Sequence, residues 1–214
     1  ADRMQASLQQ SAQFTLSAEL DTTRFLAYLQ DAKQVFALRD IKLSFTDLLI
    51  KIVARALARH PKLNASLAGN EIIYHKDINI GLAVALEDGL IVPVIRGADQ
   101  MSLQEIAVTA KALIAKARSG QLLPDDYTGG TFTISNLGMY AVDHFTPIIN
   151  LPESAILGVS RTVKKPVVIG DKIEIRDMTG FSLTVDHRII DGAVGAEFMG
   201  TLQEMLNNPL QALL

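Results

Sequence analysis

The segment DHRIIDG, residues 186–192, places one imidazole, His187, among the carboxylates of Asp186 and Asp191. An imidazole changes protonation near neutral pH, so it can take a proton from a substrate and return it later in a reaction. Upstream of it, Phe181, Leu183, Val185 and His187 fall on one face of an expected strand, with Ser182, Thr184 and Asp186 on the other. His187 therefore continues an apolar face and is expected to be semi-buried, a setting that keeps an imidazole neutral and able to accept a proton. Three readings of it stand on the residues alone: a hydrogen-bonded core histidine, a general base, or part of a metal site. The metal reading is poorly served by carboxylates around a single imidazole with no neighbouring His and no Cys. Asp191 has a reading of its own, as a structural anion paired with an arginine and capping the turn.

A second group lies in GGTFTISNLGMY, where Ser135, Asn136, Leu137 and Gly138 follow a short apolar run. A hydroxyl at a strand end can donate a hydrogen bond to a reacting group, yet Ser, Asn and Gly are also simply what turns favour. His60, His75 and His144 have no companion pattern and read as surface or packing residues. Phosphate-binding loops, dinucleotide fingerprints and the GxSxG elbow have no counterpart here. With zero cysteines, disulfides, thiolate metal sites and a cysteine nucleophile are excluded.

Alternating elements are needed to place these groups. QFTLSAEL, residues 13–20, alternates as a half-buried strand, and a helix should follow it. Residues 44–60 form a helix with Ser44 as N-cap, an apolar stripe of Leu48, Leu49, Ile52, Val53, Ala56 and Leu57, and Pro61 closing it. Lys51, Arg55 and Arg59 continue from Asp47 at four-residue spacing and read as a solvated face. INIGLAVAL, apolar on both faces, reads as a central strand that turns at EDG into LIVPVI, a hairpin. Ser102 and Glu105 form a capping box opening a helix to about Ala117, and Gly120 ends it. Short strands are expected at TFTIS, SAILGVS and KIEIRDM, then FSLTVDH and a final helix from about Ala193 to Leu206. The result is one continuous α/β domain over residues 1–214, built on a mixed sheet.

The 214 residues are 49% hydrophobic and only 6% aromatic, so aliphatic side chains carry the burial. A mean hydropathy of +0.23 without a run of roughly 18–20 apolar residues points to a protein outside the membrane, with apolar surface buried in a large core or between subunits. Twenty basic and 23 acidic residues leave a net charge of −3 and no basic block, which argues against nucleic acid as a partner. The N-terminus, ADRMQASLQQ, carries no secretion signal.

The order TFTISNLG, FTPIIN, SAILGV, PVV and LTVDHRIIDG resembles the catalytic domain of dihydrolipoamide acyltransferases, the core enzymes of 2-oxoacid dehydrogenase complexes. Upstream, SFTDLLIKIVARAL, HPKLNAS, INIGLAVALEDGLIVPVIRGAD and SLQEIA with its GGTF sequel resemble that family in the same order, so the likeness covers essentially the whole chain. It implies a fold shared with chloramphenicol acetyltransferase, a mixed sheet flanked by helices, with three subunits and active sites at their interfaces. His187 then matches the general base, Asp191 the aspartate of HxxxDG, and Ser135 the hydroxyl that stabilises the tetrahedral intermediate. Asn136 and Gly138 fall at substrate-binding positions, and Arg3 is a candidate ion-pair partner of Asp191. Coenzyme A is implied as a substrate, with a lipoyl group carried on a domain absent from this chain, and no metal.

Further expectations follow from the resemblance. The acyl group, acetyl by preference, comes from pyruvate or acetoin metabolism, with succinyl and branched-chain groups as the other options. A homotrimer builds a cubic or dodecahedral core through the C-terminal leucines of NNPLQALL, namely Leu210, Leu213 and Leu214, and meets lipoyl domains, the decarboxylase and dihydrolipoamide dehydrogenase. The setting is bacterial cytoplasm or, second, the mitochondrial matrix. No lipoyl domain, peripheral-subunit-binding domain or Ala/Pro-rich linker is present, so the chain reads as a catalytic domain of a longer polypeptide. Two departures stand out: Gln13, where many relatives carry a histidine, and Leu67, where the family has Trp or Phe and which reads as a core contact. A noncatalytic scaffold and a free-standing acetyltransferase of the chloramphenicol type, acting on a hydroxyl, are the alternatives.

Overall fold

The computed structural model describes residues 2–87 and 89–213, with the side chains at 2, 3 and 212 outside that description. Along the chain run α1 (Asp2–Gln10), β1 (Gln13–Asp21), α2 (Thr23–Ala37), α3 (Phe45–Arg59), β2 (Ala65–Ala68), β3 (Glu71–Tyr74), β4 (Ile80–Leu82), β5 (Val84–Leu86), β6 (Gly89–Ile91) and β7 (Val94–Ile95). They are followed by α4 (Leu103–Arg118), α5 (Pro124–Tyr127), β8 (Phe132–Asn136), β9 (Ala155–Ile169), β10 (Lys172–Asp186), α6 (Gly192–Asn207) and α7 (Leu210–Leu213). Among the described residues the main sheet has the order β1-β10-β9-β8-β4-β7. The β4–β8 and β8–β9 pairs are parallel and the others antiparallel, the mixed α/β arrangement that was expected.

One face of this sheet is apolar and the other is lined with hydroxyls. Phe132, Ile134, Leu157, Val159, Phe181, Leu183 and Val185 form the apolar face and belong to one core with Leu48, Leu49, Ile52 and Val53 of α3 and Phe198 and Leu202 of α6. Helix α3 starts as its capping box dictates: Ser44 accepts from the Asp47 N–H while the Asp47 carboxylate accepts from the Ser44 N–H. On the opposite face hydroxyls meet across strands, Thr15 with Thr184 at 2.7 Å and Ser17 with Ser182 at 3.0 Å, while Thr179, on the Phe181 side of β10, meets both Thr22 and Thr162 at 2.8 Å. The segment 137–152 covers part of that face. Its Phe145 ring comes so close to Gly158 that a Cβ there would sit 2.8 Å from the ring, which is why this strand position has no side chain.

Several expectations need correction. INIGLAVAL is two strands rather than one, because the Ala83 N–H donates to Ile134 O and draws the chain against β8, while β5 turns away to pair with β6. Pro93, with no N–H to give to a ladder, divides the returning run in the same way. KIEIRDM and FSLTVDH are one continuous strand, β10, and SAILGVS is the start of the equally long β9. Alternation persists through Thr179 and Gly180, where a bulge absorbs the change of register. The outer part of this ribbon pairs only with itself and leaves Val168, Ile173 and Ile175 exposed.

The solvated face predicted for α3 is also overturned at two of its four positions. Asp47 and Lys51 are buried, and Lys51 Nζ donates to the carbonyls of Asp99 (2.8 Å) and Met101 (2.7 Å). Burial, with Arg55 adding repulsion, pushes the Lys51 ammonium below its ordinary value. At the C-terminus Leu213 packs against this chain's own core and Leu210 is exposed, while Leu214 lies outside the described residues. No helix among the described residues is long and apolar enough to cross a membrane.

Candidate active site

Strand β10 ends at Asp186, whose carbonyl accepts from the N–H groups of Ile189 and Ile190 and so bends the chain into a turn. Asp191 closes that turn as the N-cap of α6, its Oδ1 accepting from Val194 N at 2.9 Å. His187 is the first residue of the turn. It is exposed, not semi-buried, because the chain leaves the sheet one residue before the alternation would have brought the ring onto the core face. Its ring packs on Phe14 (centroids 4.8 Å apart, 45° between planes), and its N–H donates to Ala12 O at 2.8 Å.

The proposed Asp191–Arg3 pair rests on an Arg3 side chain outside the described residues. Among the described residues Asp191 forms no ion pair. The arginine beside the turn, Arg188, is committed to Asp186 instead: Nε lies 3.0 Å from each carboxylate oxygen and Nη2 is 2.5 Å from Oδ2. Asp186 is buried, which would raise its carboxyl, but the Arg188 hydrogen bonds and charge outweigh burial and hold it below the ordinary aspartate value.

Ser135 is half-buried near the end of β8 and faces Gly158, which in turn faces Ser182. His187 is five positions further along β10 and two strands away, so the two Cα atoms are roughly 15–20 Å apart. The fold thus separates these two residues, Ser135 within the sheet near the end of β8 and His187 in the turn beyond the end of β10. Asn136 spends both ends of its amide within the chain, donating to Thr46 Oγ1 at 3.0 Å and accepting from Gly138 N at 2.8 Å. A Cβ at Gly138 would fall 2.9 Å from that same Asn136 oxygen. Gln13 braces the neighbouring loop, accepting from Ile149 N and donating to the hydroxyls of Ser7 and Ser11. Leu67 is half-buried and lines a cleft of about 400 Å³ together with Pro152, Asp186 and Arg188.

Sequence reasoning passed over Glu153. It is buried at the edge of a cleft of about 910 Å³ whose walls include Asn79, Gly130, Thr131 and Asn150, and it accepts from Thr133 Oγ1 (2.6 Å) and Asn150 Nδ2 (3.1 Å). The one signal was a carboxylate in NLPES directly before the buried run SAILGV. Burial pushes its carboxyl from the ordinary 4.5 up to about 8, against the lowering effect of both hydrogen bonds. The folded chain therefore keeps a proton that the unfolded chain releases, so the stability contributed is complete below pH 4.5 and is lost as pH rises towards 8. Glu153→Gln keeps the shape without the charge. Its melting temperature should match the parent chain's near pH 4.5 and exceed it by roughly 5–10 °C at pH 8; parallel melting curves across that range would refute the buried-acid account. Among the described residues no cluster of three or more His, Asp or Glu side chains is placed to hold a metal ion.

The mixed sheet, with helices packed on its apolar face, has the fold of chloramphenicol acetyltransferase. A structure of that enzyme superposes over 96% of the chain with a TM-score of 0.59 at 12% identity, a likeness of fold alone. The particular family is set by the sequence match: all of residues 1–214 correspond to the 2-oxoacid dehydrogenases acyltransferase (catalytic domain), and the chain belongs to that family. The dihydrolipoyllysine-residue acetyltransferase component of the pyruvate dehydrogenase complex of Rickettsia bellii is 40% identical across the whole chain, which covers 51% of that protein. The succinyltransferase component of the 2-oxoglutarate dehydrogenase complex of Rickettsia felis is also 40% identical, with 54% covered. The chain thus spans about half the length of the curated relatives it matches.

Two solved structures share the fold at a TM-score of 0.96, each covering all of this chain and 88% of the other. One is the dihydrolipoamide acetyltransferase of Azotobacter vinelandii (39% identical), investigated for the role of a serine, a histidine and an asparagine in its catalytic mechanism. The other is the cubic core of a pyruvate dehydrogenase multienzyme complex (40% identical).

Proposed function

We propose that the chain transfers an acyl group between the thiol of a dihydrolipoyl group and coenzyme A, the dihydrolipoyl group being carried on a lipoyl domain outside this sequence. The observation that carries this reading is positional. The serine, histidine and asparagine singled out in the Azotobacter enzyme stand in the same order and at the same separations as Ser135, His187 and Asp191. The third position differs in type, and Asp191 shows what the two types share: a side-chain oxygen that caps α6, a task asparagine performs equally well.

In the proposed step the His187 imidazole takes the thiol proton, and the thiolate adds to the thioester carbonyl carbon. The Ser135 hydroxyl donates to the oxyanion that forms, the second thiolate leaves as the carbonyl is restored, and it recovers the proton from His187. One thioester replaces another, so the reaction runs in both directions. Since the chain holds His187 and Ser135 apart, each site takes its histidine from one copy and its serine from a neighbour, in a homotrimer that assembles into a larger core. The decarboxylase, dihydrolipoamide dehydrogenase and lipoyl domains are the proposed partners, the C-terminal leucines the proposed link between trimers, and the cytoplasm of a bacterium the proposed setting.

Acetyl is the proposed acyl group, although relatives of equal identity carry acetyl and succinyl names. A panel of acetyl-, succinyl- and branched-chain acyl-CoA donors at saturating dihydrolipoamide, repeated with chloramphenicol as the acceptor, tests both the acyl group and the acceptor. Acetyl-CoA should give the highest kcat/KM. Faster succinyl transfer would overturn the acetyl assignment, and transfer only to chloramphenicol would overturn the thiol-acceptor reading.

A further inference from the structure

His187 is exposed, and no side chain among the described residues hydrogen-bonds its ring, so the proposed base needs some other means of holding its direction. The residues on either side of it supply one. Asp186 and Arg188 close on each other across His187 through Nε to both carboxylate oxygens and Nη2 to Oδ2, while the Arg188 N–H also donates to Oδ1 at 3.1 Å. A forked contact of this kind fixes orientation as well as distance, because the planar guanidinium and the carboxylate share one plane. Two side chains that meet from positions before and after a residue must both point to one side of the turn. The side chain between them is sent to the other side, where the His187 ring lies on Phe14.

The buried half of this clasp is tied into the sheet. The Asp186 N–H donates to Ser154 O at 2.9 Å, and Asp186 Oδ1 accepts from Ala12 N at 3.3 Å, next to the carbonyl that receives the His187 N–H. Asp186 thus reaches β9 through its backbone and the lead-in to β1 through its side chain, whereas Arg188 extends to the surface with about two-fifths of its side chain exposed. The clasp is anchored at one end and open at the other, where Arg188 borders the cleft shared with Leu67 and Pro152.

We propose that the Asp186–Arg188 pair is a positioning device for His187, aiming the imidazole outward from the turn to where a neighbouring copy presents its serine. The inference rests on the acyl-transfer reading above and adds residues that touch no reacting atom. Its predicted signature is a loss of turnover without a loss of substrate affinity, since a base displaced by about 1 Å costs on the order of 10²-fold in rate.

The test compares Asp186→Asn, Arg188→Gln and Arg188→Lys with the parent chain and with His187→Ala, using acetyl-CoA and dihydrolipoamide. Asp186→Asn and Arg188→Gln should each lower kcat by roughly 10- to 100-fold with both KM values within about twofold. Arg188→Lys, which keeps the charge without the fork, should lose less. Asp186→Asn should lower the rate no further when added to His187→Ala. If Asp186→Asn fails to fold or to sediment like the parent, the surface variant Arg188→Gln decides alone. A normal kcat in a folded variant, or a raised KM at unchanged kcat, would overturn the positioning role while leaving a base at His187 intact. Full activity in His187→Ala would instead remove the base assignment on which the inference rests, and no transfer by the parent chain would remove the acyl-transfer reading itself.

Discussion

Replacing His187 with alanine is expected to lower acyl transfer from acetyl-CoA to dihydrolipoamide by roughly 10²- to 10⁴-fold, the usual contribution of a positioned proton acceptor. The reason is chemical: a thiol with a pKa near 8.5 is mostly protonated at pH 7, and the thiol form is a poor nucleophile. Stability should change little, because the ring is exposed, its main packing partner is Phe14, and the N–H that binds Ala12 O is retained in alanine. Initial rates, a melting curve and sedimentation on the same preparation separate chemistry from folding. A variant that melts and sediments like its parent and transfers acetyl at the parent rate would eliminate His187 as the base.

The second large effect concerns Ser135 and has two parts. Ser135→Ala should cost about 10²- to 10³-fold in kcat, as expected when one donor to a developing oxyanion is removed. The more telling result is expected on mixing. When inactive Ser135→Ala chains are unfolded and refolded together with inactive His187→Ala chains, some boundaries will bring an intact histidine from one type against an intact serine from the other. Random association of equal amounts should restore about a quarter of the parent activity. Recovery is predicted because the register Ser135–Gly158–Ser182 places the serine five positions from the histidine along the strand direction, beyond reach within one chain. Mixtures that sediment as assembled particles yet stay inactive would show that the two residues do not share a site across a boundary.

Much of this molecule was legible where a local signal decided the outcome. Ser44 and Ser102 begin helices because each meets an acidic residue three positions on, and Asp191 caps α6 because it directly precedes a helical run. The alternation of Phe181, Leu183 and Val185 named the core face correctly. Contacts distant in sequence account for the rest. Lys51 has the i, i+4 spacing of a solvated stripe, but carbonyls of the 99–101 loop come to its ammonium, and nothing in α3 announces them. Ser135 and Asn136 are adjacent in SNLG, yet only the folded chain brings Thr46 to the Asn136 amide, whose oxygen is taken by the nearby Gly138 N–H. Glu153 carried one local signal, its place before SAILGV, but its hydrogen bond to Thr133 on β8 was not written there. The turn holding His187 was located correctly, but its exposure follows from the backbone leaving the sheet at Asp186, a change of direction that periodicity cannot express.

The distance between Ser135 and His187 also has a genetic consequence on the proposed reading. Each chain in a closed ring lends its histidine to one neighbour and its serine to the other, so it is a member of two sites. A chain that folds and assembles but carries lesions at both positions would then silence two sites for every copy incorporated. Such an allele would behave as dominant over the intact one, and its severity in a mixed population would exceed its share of the transcripts. An allele that prevented folding altogether would be recessive, since it would never enter a ring.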